Sequence, residues 1–109
     1  MKKDDLKLLF IELSARLPYG VMVAEFDENG RKISMTAPLT NMCNVESHYC
    51  DLKPYLFPMS SMTEEQKKEY LDLLYISPAR GIDYLNEHMF DYRGLIEKGL
   101  AIDATKAII

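Results

Sequence analysis

The sequence has no excess of basic charge: 13 lysines and arginines stand against 17 acids, a formal net charge of −4. Outside Lys2-Lys3 and Lys67-Lys68 the cations are scattered, so the chain lacks the basic patch that neutralises phosphate backbones. Nonspecific nucleic-acid binding is disfavoured, and the acidic excess is too small for a nucleic-acid mimic. Nor does any segment approach the roughly 20 apolar residues that span a bilayer. The apolar stretch after Met1-Lys2-Lys3-Asp4-Asp5 is broken by Lys7 and Glu12, which argues against a signal-peptide core. The expectation is a cytoplasmic protein without membrane contact, its 2 cysteines, Cys43 and Cys50, kept as thiols. Paired C-x-x-C knuckles, G-x-x-x-x-G-K-[ST] and G-x-G-x-x-G are all missing, so Gly94 and Gly99 read as turn and cap residues.

What is present is ordinary globular composition. Of the 109 residues, 48% are hydrophobic and 28% charged, which predicts one self-folding domain spanning residues 1–109. Leu6, Leu9, Phe10, Leu13 and Leu17 recur at helical spacing, flanked by Lys7, Glu12 and Arg16, and predict an amphipathic helix with its apolar stripe inward. Asp4 and Asp5 favour its start, and Pro18-Tyr19-Gly20 ends it. Val21 to Phe26 predicts a strand, Asn29-Gly30 a tight turn with positive φ at Gly30, and the alternation around Ile33 and Met35 a second strand closed by Pro38. Val45 to Leu52 offers a third strand, and Pro54 and Pro58 predict an extended segment after it.

Thr63 and Gln66 have the spacing of a capping box, starting a helix whose inward residues are Tyr70, Leu71 and Leu74. Ser77-Pro78 supplies an N-cap and an N1 proline for a helix to about His88, with Ile82, Leu85 and Met89 inward. Asp91 and Gly99 bracket a last short helix through Lys98. The fold class predicted is α+β: an N-terminal helix, a small antiparallel sheet of three or four strands, and two or three C-terminal helices on one sheet face.

Three stretches, Ala15-Arg16-Leu17-Pro18-Tyr19-Gly20-Val21, the run from Leu52 through Pro54-Tyr55-Leu56-Phe57-Pro58 to Glu65, and Phe90-Asp91-Tyr92-Arg93-Gly94-Leu95 to Ala101, together resemble an uncharacterised family of small Bacteroides-type proteins. That family is often found among prophage or mobile-element genes. The resemblance implies an accessory role in such a setting and supplies no catalytic residue. The same stretches fall on turns, caps and helix ends, where fold maintenance alone would place them.

The candidate chemistries are thin. Cys43, His48, Cys50 and Asp51 are zinc-ligand types in a short span, but without knuckle spacing buried small hydrophobes are the better account of the cysteines. Cys50 with His88 would make a nucleophile and base only if the fold joined them. Asp83, Glu87, His88 and Asp91 gather near one helix end, where a solvated face plus the next cap explains them. The two C-terminal helices suggest a helix-turn-helix, yet the second presents Arg80 with Asp83 and Glu87, a mixture that phosphates would partly repel. No catalytic residue, metal or cofactor is assigned. The leading function is a non-enzymatic accessory or interaction protein; alternatives are a nucleic-acid-associated regulator and a small metal-dependent or hydrolytic enzyme. Tyr55, Phe57 and Met59 are the candidate contacts for a protein partner or a second copy, because an extended proline segment points Tyr55 and Phe57 away from Leu56.

Overall fold

The computed structural model describes residues 3–26, 29, 31, 37–38 and 51–106. Helix α1 (Lys3–Arg16) runs into a single 3-10 turn at Leu17–Tyr19, and the Gly20 N–H reaches Leu17 O at 3.3 Å to close it. Strands β1 (Met22–Phe26), β2 (Ala37–Pro38) and β3 (Asp51–Pro58) follow. Then come helices α2 (Glu64–Ile76) and α3 (Pro78–Glu87), and strands β4 (Phe90–Asp91) and β5 (Ile102–Asp103). The α+β class, the N-terminal helix and the two further helices are as expected.

The sheet is mixed rather than antiparallel. β1 pairs antiparallel with β2 at Met22↔Pro38 and with β3 from Val23↔Pro54 to Phe26↔Asp51, whereas β4 and β5 both run parallel to β3. Pro54, expected to punctuate the chain, lies inside β3, where the antiparallel ladder with β1 ends and the parallel pairing begins. A residue without an N–H is tolerated where one ladder hands over to another. Successive residues of a strand turn their amides to opposite edges. The Phe57 N–H donates to Met89 O and Leu56 O accepts from Ala104 N–H, each at 2.8 Å, which puts β4 and β5 on opposite edges of β3. The segment between β4 and β5 therefore crosses the sheet as a strap. The third strand expected at Val45–Leu52 overlaps β3 only at its end, and residues 45–50, like Gly30, Ile33 and Met35, lie outside the described residues.

α1 does not bury the stripe its leucines suggest. Its buried residues are Leu9, Glu12, Leu13 and Arg16, while Leu6 and Phe10 are exposed. Apolar side chains occupy positions 6, 8, 9, 10, 11 and 13 of this helix, so periodicity gives it little direction, and tertiary partners of Glu12 and Arg16 decide the facing. Leu9 and Leu13 join Val21, Val23, Leu52, Leu56, Leu95 and Leu100 in the principal core.

The C-terminal helices start as their sequence demands. Thr63 N–H donates to Gln66 Oε1 at 2.9 Å, and Gln66 N–H returns to Thr63 Oγ1 at 3.1 Å. Ser77 is at once the C-cap of α2 and the N-cap of α3, with Pro78 at N1, although its hydroxyl makes no capping bond. The helices approach closely because of Gly81: a Cβ there would stand 2.8 Å from Leu74 Cδ1 and 3.2 Å from Leu74 Cα. This fixes which sides face inward, namely Gly81, Tyr84, Leu85 and Asn86 on α3, and Tyr70, Leu73 and Leu74 half-buried on α2. Leu71 and Ile82, expected inside, are exposed. Met89 is half-buried at φ 60°, an uncommon left-handed residue that turns the chain from α3 into β4.

Asp91 and Gly99 do bracket a local structure, but it is one turn rather than a helix through Lys98. The Asp91 carboxylate accepts from Leu95 and Ile96 N–H, both at 2.9 Å. Gly99 has φ +74°, and Leu100 N–H reaches Leu95 O at 2.9 Å while Gly99 N–H reaches Ile96 O at 3.1 Å, the paired bonds of a Schellman ending. Leu95 and Leu100 must enter the core, which leaves no length for further turns.

Candidate functional site

Of the three candidate contacts, two are at the surface. Phe57 and Met59 are 39% and 36% exposed, but Tyr55, two residues along the strand and on the same face as Phe57, is 8% exposed. Tyr55 is paired with Ile102 of β5 and Phe57 with Phe90 of β4. The Phe57 ring packs against Phe90 at a 6.4 Å centroid distance.

Two open cavities flank the short turn Met59–Ser61. One, of about 310 Å³, brings Phe57, Phe90, His88, Ser61 and Thr105 together. Of its polar groups, Ser61 Oγ donates to Pro58 O at 2.6 Å, the Thr105 hydroxyl donates to Asp103 and Gln66 Oε1 accepts from Thr63 N–H, while the His88 ring lies tilted against Tyr84 at a 4.2 Å centroid distance. The Thr105 bonds hold the Asp103 carboxyl below its usual range. The other, of about 320 Å³, is lined by Met59, Ser60, Met62, Glu64, Lys67, Tyr70 and Leu71. Neither contains a nucleophile with an adjoining base, and among the described residues no three His, Cys, Asp or Glu side chains converge on a metal position. Cys43, His48 and Cys50 lie outside the described residues. Asp83, Glu87 and His88 are exposed, while Asp91 is spent on its turn.

The polar cluster that sequence reading placed in solvent is buried. Arg16 is 0% and Glu12 1% exposed, and they form an ion pair one turn apart. Arg16 also donates to Phe90 O at 2.6 Å, its guanidinium lies 5.3 Å from the Tyr92 ring centroid, and Arg93 Nε stands 2.7 Å from Glu12 Oε1. The Arg93 guanidinium lies 5.6 Å from the same ring centroid, and Tyr92 OH donates to Asn86 Oδ1 at 2.9 Å. The Arg16 and Tyr92-Arg93 stretches thus meet in space, tying α1 to the strap. The cluster packs between α1 and the strap with Arg93 44% exposed at its edge, and none of its charged side chains lines either cavity. The local signal for it was the i,i+4 spacing of Glu12 and Arg16 on the Leu9-Leu13 side of the helix; the partners at 90–93 had no such signal.

Among the exposed large apolar groups, Leu6, Phe10 and Ile11 lie on α1, and Leu71, Tyr75 and Ile76 on α2, the last three 49%, 92% and 62% exposed. α2 has no buried residue at all. Its hold on the molecule is the packing on α3 and a bond from Tyr84 OH to Glu69 Oε2 at 3.1 Å; burial, then this bond and the Glu69 charge, raise the Tyr84 phenol above its ordinary value.

No family model, curated protein or solved structure matches this chain. Among the described residues no helix is long and apolar enough to cross a membrane.

Proposed function

We propose that the chain is a non-enzymatic interaction domain, an accessory protein that works by docking another protein, in the phage-like or mobile-element setting that its resemblance implies. The observation supporting this is the state of α2: an outer helix with no buried residue that holds Leu71, Tyr75 and Ile76 in water beside a methionine-lined cavity. Single exposed apolar residues are normal, but a contiguous set beside soft, adaptable side chains is the usual make-up of a contact surface.

Lysine-directed cross-linking in native cells tests the reading, since Lys67 and Lys68 are exposed on this helix. Cross-links to protein should concentrate there and fall away in a Leu71→Ser, Tyr75→Ser variant that keeps its circular dichroism. Cross-links spread evenly over the lysines, or unchanged in the variant, would contradict it.

A further inference from the structure

We infer that the occupant of the α2 face is a second copy of this chain, paired antiparallel about a two-fold axis at Leu71. This rests on the interaction reading above and adds its partner. α2 carries both halves of a self-complementary contact. Tyr75, 92% exposed, is a knob; the cavity of about 320 Å³ beside Lys67 and Leu71 is a hole. Leu71 is midway between Lys67 and Tyr75 in sequence, four residues from each, so all three lie along one side of the helix. An antiparallel two-fold at Leu71 therefore brings each Tyr75 to the partner's Lys67 and the cavity it rims. There the ring meets the side chains of Met59, Met62 and Tyr70 and the lysine ammonium, and every contact is made twice.

Charge selects the same arrangement. Exposed Glu64 and Glu65 open α2, and Lys67 and Lys68 come next. A parallel pair would set acid on acid and base on base. In the antiparallel pair the lysines reach the C-terminal end of the partner's α2, which has no basic residue in its last turn. The two glutamates reach the start of the partner's α3, which has no acidic residue in its first turn and exposes Arg80. Neither helix end carries a compensating charge in its own terminal turn, and each gains one from the second copy.

The test is sedimentation equilibrium of the full chain from about 1 to about 300 µM, because an interface the length of one short helix implies association on the order of 10 µM. A monomer–dimer equilibrium is expected, weakened at least tenfold by Tyr75→Ser and by Lys67→Glu, with the fold kept. In a Cys43→Ser, Cys50→Ser background, oxidised Leu71→Cys should form a disulfide-linked dimer far faster than Glu87→Cys, which places a thiol on α3. A dimer that survives Tyr75→Ser, or that links through Glu87→Cys as readily, overturns the two-fold at Leu71. A monomer at all concentrations overturns self-pairing, while the interaction reading then survives only if the cross-links at Lys67 and Lys68 go to a different protein.

Discussion

The half of the molecule built on α1, the sheet and the strap buries charge beside an aliphatic core, whereas the half built on α2 and α3 has a small aromatic cluster and an outer helix with no buried residue. In the first, Leu9, Leu13, Val21, Val23, Leu52, Leu56, Leu95 and Leu100 enclose an aliphatic core, and Glu12 and Arg16 are sealed in beside it. In the second, the buried apolar cluster among the described residues is Tyr84, Leu85 and Phe90, with Met62, Tyr70, Leu73 and Tyr92 packed against it. The contrast shows where each half gets its order. The first is over-determined by long-range contacts from residues 90–101, and the second rests on local helix signals and one close helix crossing.

The largest effect that would break this comparison is expected at Glu12. Replacing it with alanine strands the Arg16 guanidinium in the interior without its anion, a change that typically costs about 3–5 kcal/mol, whereas Leu71→Ala on the open face should stay within roughly 0.5 kcal/mol. Urea unfolding of the two variants measures both. Comparable losses would mean that the two halves do not differ as described.

A middle-sized effect is expected at the helix crossing. Gly81→Val forces side-chain atoms against the Leu74 backbone and should cost about 1–3 kcal/mol. Its signature is that α2 loosens while the aliphatic core keeps its chemical shifts. Disruption spread equally over α1 and β3 would show that the hairpin is integral to the first core.

The smallest effect sharpens the comparison at high pH. The folded state holds the Tyr84 proton more tightly than the unfolded state, whose tyrosine has the ordinary value of 10.0. The stabilisation is therefore complete below that pH and is lost as pH rises through and beyond it, because the unfolded chain ionises first. Wild-type stability should fall more steeply above pH 10 than that of Tyr84→Phe. Parallel curves would mean that the Tyr84–Glu69 bond does not hold α2 in solution.

Local chemistry was legible in the sequence and non-local chemistry was not. Thr63 and Gln66 announced the capping box, Ser77-Pro78 the joint between the helices, and Asp91 and Gly99 the ends of a turn, since each acts on amides only a few residues away. The parallel pairing of β4 and β5 with β3 depends on a strap whose short strands carry no periodicity of their own. Ile102–Asp103, which pairs with β3, is too short to carry a period of its own. Glu12 and Arg16 read as a wet helix flank because the residues that accept them inside, Phe90 and Arg93, are more than seventy positions away. Of the candidate contacts, Tyr55 and Phe57 share one face of β3 by alternation, and their different exposure depends on what covers that face, which local sequence does not carry.

Native-state hydrogen exchange tests the division between the halves most directly, because it resolves the opening free energy amide by amide. In dilute solution the amides of α2 should exchange through local opening well before those of β3 and of Leu9 to Arg16, and their protection should rise with protein concentration as the open face is covered. Protection of α2 equal to that of β3 at every concentration would contradict the account.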